Sequence, residues 1–150
     1  VTDFATGAPL TLHYIFLNDA RTAKASIAWP KLLLYGHVSK NGIIRAVDDS
    51  EVTTRLGLAE GLETTAALLR GLDDSRDWMP IWSTVSAGTM ADLPVVAGIE
   101  QLTIYADNDA RGTGLSAARS LAARWHEAGR EVWISTPPRG DWNQFREVAA

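Results

Sequence analysis

From about residue 54 onward, apolar segments of strand length alternate with helical segments, and this alternation constrains the fold more than any other feature. The strand candidates are Leu56-Gly57-Leu58-Ala59, Trp78-Met79-Pro80-Ile81-Trp82-Ser83, Leu102-Thr103-Ile104-Tyr105-Ala106 and Glu131-Val132-Trp133-Ile134-Ser135. Thr64 to Leu72 reads as a helix with Leu68, Leu69 and Leu72 as its apolar positions. Gly114 to Ala128 is the clearest helix: Leu115, Ala118, Leu121, Ala122 and Trp125 recur at helical spacing, and Gly129 stops it. Alternation of this kind predicts an α/β fold with a roughly four-stranded, mostly parallel sheet flanked by helices. Ligands of such sheets gather at the carboxyl ends of the strands, so the residues just after each strand carry the functional question.

The first 53 residues have a different character. Leu10 to Leu17 is an extended run that ends at the turn signal Asn18-Asp19, and Leu32-Leu33-Leu34-Tyr35 follows Trp29-Pro30. Asn41-Gly42, a pair suited to a hairpin turn, precedes Ile43 to Val47. The expected organisation is therefore a small β-rich segment over 1–53, packed on an α/β core over 54–150.

Composition narrows the chemistry. The chain has 150 residues, a length for one compact domain able to bury a core without staples. It has no cysteine, which removes disulfides, zinc-thiolate sites and cysteine nucleophiles together and fits a reducing cytoplasm. No apolar run approaches the roughly 20 residues that span a bilayer, and no signal peptide is visible, so a cytoplasmic location away from membranes is expected. The chain begins at Val1 rather than Met, as a segment excised from a longer protein would. A net charge of −4 argues against a protein that coats DNA by bulk electrostatics. It leaves room for a nucleic-acid enzyme whose acidic residues hold a metal, because the ion restores positive charge where phosphate sits.

Three strand ends lead to acids. Ala59 is followed by Glu60-Gly61, Ala106 by Asp107-Asn108-Asp109, and the fourth strand leads through Pro137-Pro138-Arg139-Gly140 to Asp141, which can cap a short last helix through Val148. Carboxylates gathered at one sheet edge repel unless a divalent cation lies between them. Magnesium suits hard oxygen ligands and needs only a few carboxylates plus substrate phosphate. Gly112 and Gly114 let the chain turn tightly from Asp107 and Asp109 into the following helix. An Asp-x-Asp loop also serves as a solvated turn or helix cap. The EF-hand reading fails, since position 12 counted from Asp107 is Ala118 rather than Glu. An aspartyl-phosphate phosphatase suits the Asp-x-Asp but leaves Glu60-Gly61 unexplained.

Leu58-Ala59-Glu60-Gly61-Leu62-Glu63-Thr64 resembles the Glu-Gly-x-Glu-Thr opening of a Toprim domain. Ile104-Tyr105-Ala106-Asp107-Asn108-Asp109 with Gly112 resembles its Asp-x-Asp strand, and Gly140-Asp141-Trp142-Asn143 its third acidic motif. The order matches, and the preceding pattern Thr6-Gly7, Leu17, Lys24-Ala25, Gly36-His37, Gly42 and Arg45 is similar to that of phage- and plasmid-type primase or primase-helicase proteins. Gln144 departs from the family pattern, where an acid is common, which weakens a second metal held from this loop.

The resemblance implies metal-dependent phosphoryl or nucleotidyl transfer on nucleic acid. Glu60 would be metal ligand or general acid/base, Asp107 and Asp109 would hold Mg2+ (or Mn2+), and Asp141 would complete the cluster. Glu63 suits either the cluster or a favourable acid in the first turn of its helix. Arg111, Arg139, Arg45 and Lys24 are the candidates for phosphate of nucleotide or nucleic acid. Trp142 is the first candidate among the tryptophans for stacking on a base. Ser83, Ser86 and Thr89 are placed to line the cleft.

The leading function is that of a DNA primase domain, a nucleotidyltransferase making RNA primers from nucleoside triphosphates on single-stranded DNA during replication of a phage or mobile element. Its expected companions are a helicase or zinc-binding domain in the parent protein. The alternatives are a nuclease or topoisomerase-related Toprim domain that cleaves phosphodiester bonds, and a non-catalytic metal- and nucleic-acid-binding module. Tyr14, Tyr35 and Tyr105 read as strand residues rather than as a topoisomerase nucleophile.

Overall fold

The computed structural model describes residues 1–37, 39–72, 78–108, 110–138, 140 and 142. Its centre is a four-stranded, all-parallel sheet. β1 (Thr2–Asp3), β2 (His13–Ile15), β3 (Lys31–Leu33) and β4 (Gly42–Ile43) come first. Then follow β5 (Arg55–Ala59), α1 (Leu62–Leu72), β6 (Ile81–Ser83), α2 (Ala87–Asp92), β7 (Gln101–Tyr105), α3 (Thr113–Glu127) and β8 (Glu131–Ser135). The sheet order is β6-β5-β7-β8, with every neighbouring pair parallel.

Alternation along each central strand builds two cores. Leu56 and Leu58 of β5 and Leu102 and Ile104 of β7 join Ala118, Leu121 and Trp125 of α3 and Met90 of α2 in one cluster. Ala59, Ile81 and Tyr105 join Leu68 of α1 and Trp142 in the other. Both faces are covered, so the central strands read as continuous apolar runs. Buried leucines of this kind are each worth about 2–5 kcal/mol against alanine. Gly57 is required by packing: a β-carbon there would lie 2.8 Å from Cγ1 of Ile81 and 3.2 Å from Cε2 of Tyr105.

The chain leaves β5 through α1 toward β6, then crosses to β7 on the other side of β5, and continues through α3 to β8. The strand order therefore reverses between β5 and β7, and a crevice opens there at the carboxyl ends of the two strands.

The N-terminal segment packs on the core. Ile44 exchanges both backbone hydrogen bonds with Ser83, closing the outer edge of β6. Phe4 and Ile43 are buried in the core cluster that holds Leu56 and Trp82. β1 pairs with β4, and β2 pairs with β3, both antiparallel. The Asn41-Gly42 turn forms, with Asn41 at φ 58, but the strand it leads into pairs with β1 rather than with the preceding ribbon. That pairing goes with burial: Ile43 is fully enclosed in the core cluster that also holds Phe4, just after β1.

Helix α2 has no counterpart in the sequence reading. It is short, capped by Ser86, whose hydroxyl accepts the backbone N–H of Thr89. The short helix expected from Asp141 to Val148 lies outside the described residues apart from Trp142. Among the described residues no helix is long and apolar enough to cross a membrane.

Candidate metal centre

Glu60 follows β5 directly, and Asp107 follows β7 by one residue, so the strand-order reversal places both at the same crevice. Their backbones are pinned from several sides. The Ser83 hydroxyl donates to the Glu60 carbonyl at 3.2 Å, and the Thr84 N–H donates to the Ala59 carbonyl at 2.8 Å. On the other side, Asn108 and Gly140 exchange backbone hydrogen bonds at 2.7 and 3.1 Å. The Asn108 side-chain amide donates to the carbonyls of Pro137 and Pro138 at 3.2 and 3.0 Å. Asn108 thus ties the Asp-x-Asp turn to the loop that carries the third acidic motif.

Helix α3 closes the site from below. Gly112, at φ 65, turns the chain into it, as its lack of a side chain permits. A β-carbon on Gly114 would fall 3.2 Å from Oε2 of Glu60 and 3.4 Å from the Asp107 nitrogen. A side chain there would make the Glu60 carboxylate give way by a few tenths of an ångström.

Glu60 and Asp107 line a cleft of about 890 Å³ together with Glu63, Lys24, Lys31, Arg21 and Arg70. One wall comes from the α/β core and the other from the ribbon of the N-terminal segment. Glu63 is held by Lys24 at 3.2 Å and by Lys31 at 2.9 Å. Burial pushes the Glu63 carboxyl up, but the hydrogen bond and charge of Lys31, its own backbone N–H and Lys24 outweigh it. The carboxyl therefore lies below its ordinary range.

Residues 55–149 match the family model described as the Toprim domain. The chain belongs to the Toprim family. Among curated proteins and among solved structures, none matches it. Toprim domains bind divalent metal ions such as Mg2+ and occur in primases, nucleases and topoisomerases, enzymes that act on nucleic acids.

The candidate residues separate on this Toprim frame. Glu60, Asp107 and Lys24 line the cleft, and Arg111 lies exposed in the turn between β7 and α3. Asp109, Asp141 and Arg139 lie outside the described residues. Among the described residues no group of three or more His, Cys, Asp or Glu is placed to hold a metal. The carboxylate of Glu60 packed over Gly114, with Asp107 beside it, nonetheless fits a hard cation, which takes oxygen donors.

Arg45 lines other clefts. Its guanidinium lies 4.8 Å from the Trp82 ring centre, pairs with Asp49 at 2.6 Å, and donates to Thr2 and to the carbonyls of Asp3 and Phe4. Trp142 is buried edge-on against Tyr105 at 5.7 Å, which makes it a core residue rather than an open stacking platform. Ser86 and Thr89 cap α2, and Ser83 serves Glu60 through its backbone. Sequence reading missed Lys31, Arg21, Arg70 and Asn108. Lys31 and Asn108 acquire their roles through partners on distant segments, and Arg21 and Arg70 are shown as cleft residues only by the fold.

Proposed function

We propose that the chain is the catalytic Toprim domain of a DNA primase, joining nucleoside triphosphates into an RNA primer on a single-stranded DNA template. The observation that carries the reading is the convergence of Glu60 and Asp107 in a cleft whose opposite wall is the lysine-bearing N-terminal segment. That segment also carries the primase-like pattern of the sequence. Magnesium or manganese, when bound, neutralises charge on the phosphoryl oxygens in flight and orients the nucleophile. Glu60 and Asp107 would hold it, with Asp109 and Asp141 as further ligands.

The protein's own part is positioning and proton handling. Glu60 stands at the crevice with its backbone fixed by Ser83, suited to receive the proton of the attacking hydroxyl. Lys24 and Arg111, with Arg139, supply positive charge for the phosphates of nucleotide and template. A helicase or zinc-binding domain in the parent protein would deliver the template, in the cytoplasm.

The test is calorimetric titration of Mg2+ and Mn2+ into the native chain and into an Asp107→Ala, Asp109→Ala double variant, followed by primer-synthesis and strand-cleavage assays. Metal binding that disappears in the variant, with primer synthesis in the native chain, is the expected result. Equal binding by both would remove the metal centre. Metal-dependent cleavage without synthesis would assign the site to a nuclease.

A further inference from the structure

The bridge across the cleft has an unusual stoichiometry. Lys24 Nζ lies 3.2 Å from Oε1 of Glu63, and Lys31 Nζ lies 2.9 Å from Oε2. Each carboxylate oxygen takes one lysine, so two ammonium groups share a single negative charge. Both lysines belong to the N-terminal ribbon. Lys24 is fixed by its bridge to Leu17, and Lys31 by its place opposite Ile15 on β3. Glu63 belongs to the first turn of α1 on the core. Gly61 lies beside the contact: a β-carbon there would stand in ordinary van der Waals contact, 3.4 Å from Oε2 of Glu63 and 4.0 Å from Lys31 Nζ. All three side chains retain solvent access, at 46%, 37% and 32% for Lys24, Lys31 and Glu63.

Two lysines converging on separate oxygens of one anion is the arrangement a phosphate group would receive. We propose that Lys24 and Lys31 form a phosphate-binding pair whose seat is filled, in the free protein, by the Glu63 carboxylate. A ligand phosphate enters by displacing Glu63. The inference rests on the phosphate-handling reading of this cleft and adds to it a residue that competes with the ligand.

Charge decides which anion wins. A carboxylate carries one negative charge, whereas a polyphosphate carries several and attracts both ammonium groups more strongly at the same distance. Displaced Glu63 has water within reach, and it remains in the first turn of a helix, where an acid is favoured. The pair therefore selects polyphosphate over singly charged anions. Ligand entry also unfastens the ribbon from α1, since the same three side chains join them.

Titration of sodium tripolyphosphate in buffer stripped of metal ions on a chelating resin tests this without any metal. Glu63→Gln keeps the shape of the side chain and removes its charge, so tripolyphosphate should bind about tenfold more tightly than to the native chain. Glu63→Ala should act in the same direction. Lys24→Ala and Lys31→Ala together, introduced beside Glu63→Gln, should abolish the gain. If Glu63→Gln binds tripolyphosphate no better than the native chain, or if loss of both lysines leaves the gain intact, the proposal is overturned. Because no metal is present, such a failure would leave the Mn2+ titration of the acidic centre untouched. Failure of that titration would in turn leave the lysine pair standing.

Discussion

Gly114 of α3 and Glu60 after β5 are in such close approach that a β-carbon on the first would stand 3.2 Å from Oε2 of the second. Gly114→Ala therefore acts on the acid more than on the fold. Alanine is favoured over glycine in a helix by up to about 1 kcal/mol, which offsets the small shift that the contact requires. Stability should change by less than about 1 kcal/mol, while Mn2+ affinity should fall about tenfold because a ligand has moved. Thermal unfolding and a calorimetric Mn2+ titration on the same sample separate the two effects. Unchanged affinity would mean that Glu60 does not hold the metal.

A metal that binds only the folded chain raises its stability by about 2.7 kcal/mol at a hundredfold excess over Kd. Mn2+ should therefore raise the melting temperature of the native chain. Glu60→Gln and Asp107→Asn should each remove most of that rise, since each takes a charged oxygen donor from the crevice. Differential scanning calorimetry at constant ionic strength reads the result. A rise retained in both variants would place the ion elsewhere.

The parallel sheet was legible because its central strands are buried on both faces: Leu56, Leu58, Leu102 and Ile104 are fully enclosed on one side, Ala59 and Tyr105 are buried on the other, and their apolar runs follow from that. Glu60 and Asp107 were legible because strand ends, not long-range contacts, bring them together. The N-terminal ribbon was harder to read. Leu12, Tyr14 and Phe16 alternate as a half-buried strand would, yet all three are exposed, and regular pairing is confined to His13–Ile15. Glu63 left two readings open from local pattern, and the structure adds a third. Its lysine partners lie 32 or more residues away, a relationship no local pattern encodes. Helix α2 is only six residues long, too short to display a period.

Arg45 gives a second case in which the surroundings decide. Its guanidinium covers the Trp82 ring and serves two backbone carbonyls of the first strand and its exit. Arg45→Ala should lower unfolding free energy by about 2 kcal/mol, from the lost ring contact and the carbonyls left without a donor. Tripolyphosphate and Mn2+ affinities should stay at native values, because Arg45 lines clefts other than that of Glu60. Urea unfolding and the two titrations check this. A loss of tripolyphosphate affinity at unchanged stability would return Arg45 to the phosphate-binding set.

His13 and Glu63 together shape the acid limb of stability. Burial, then the Lys31 ammonium, hold the His13 imidazole below its ordinary 6.5, against the opposing pull of Glu63. A histidine kept neutral by the fold contributes stability that is present above 6.5 and declines as pH falls from there toward the folded value. Glu63 is depressed below its ordinary 4.5, since the lysines outweigh its burial, so its contribution is present above 4.5 and is lost as pH falls toward its own folded value. Stability measured by urea unfolding from neutral to acid pH should therefore fall in two windows. His13→Gln should remove the upper one, and Glu63→Gln should shrink the lower, to which Asp3 and Asp48, both held below their ordinary 3.8 by hydrogen bonds from Thr6 and Ser50, also contribute. Because the Glu63 charge partly supports protonation of His13, Glu63→Gln should also deepen the upper fall by lowering the histidine further. An upper window unchanged in Glu63→Gln would show that the two groups do not sense each other across the ribbon.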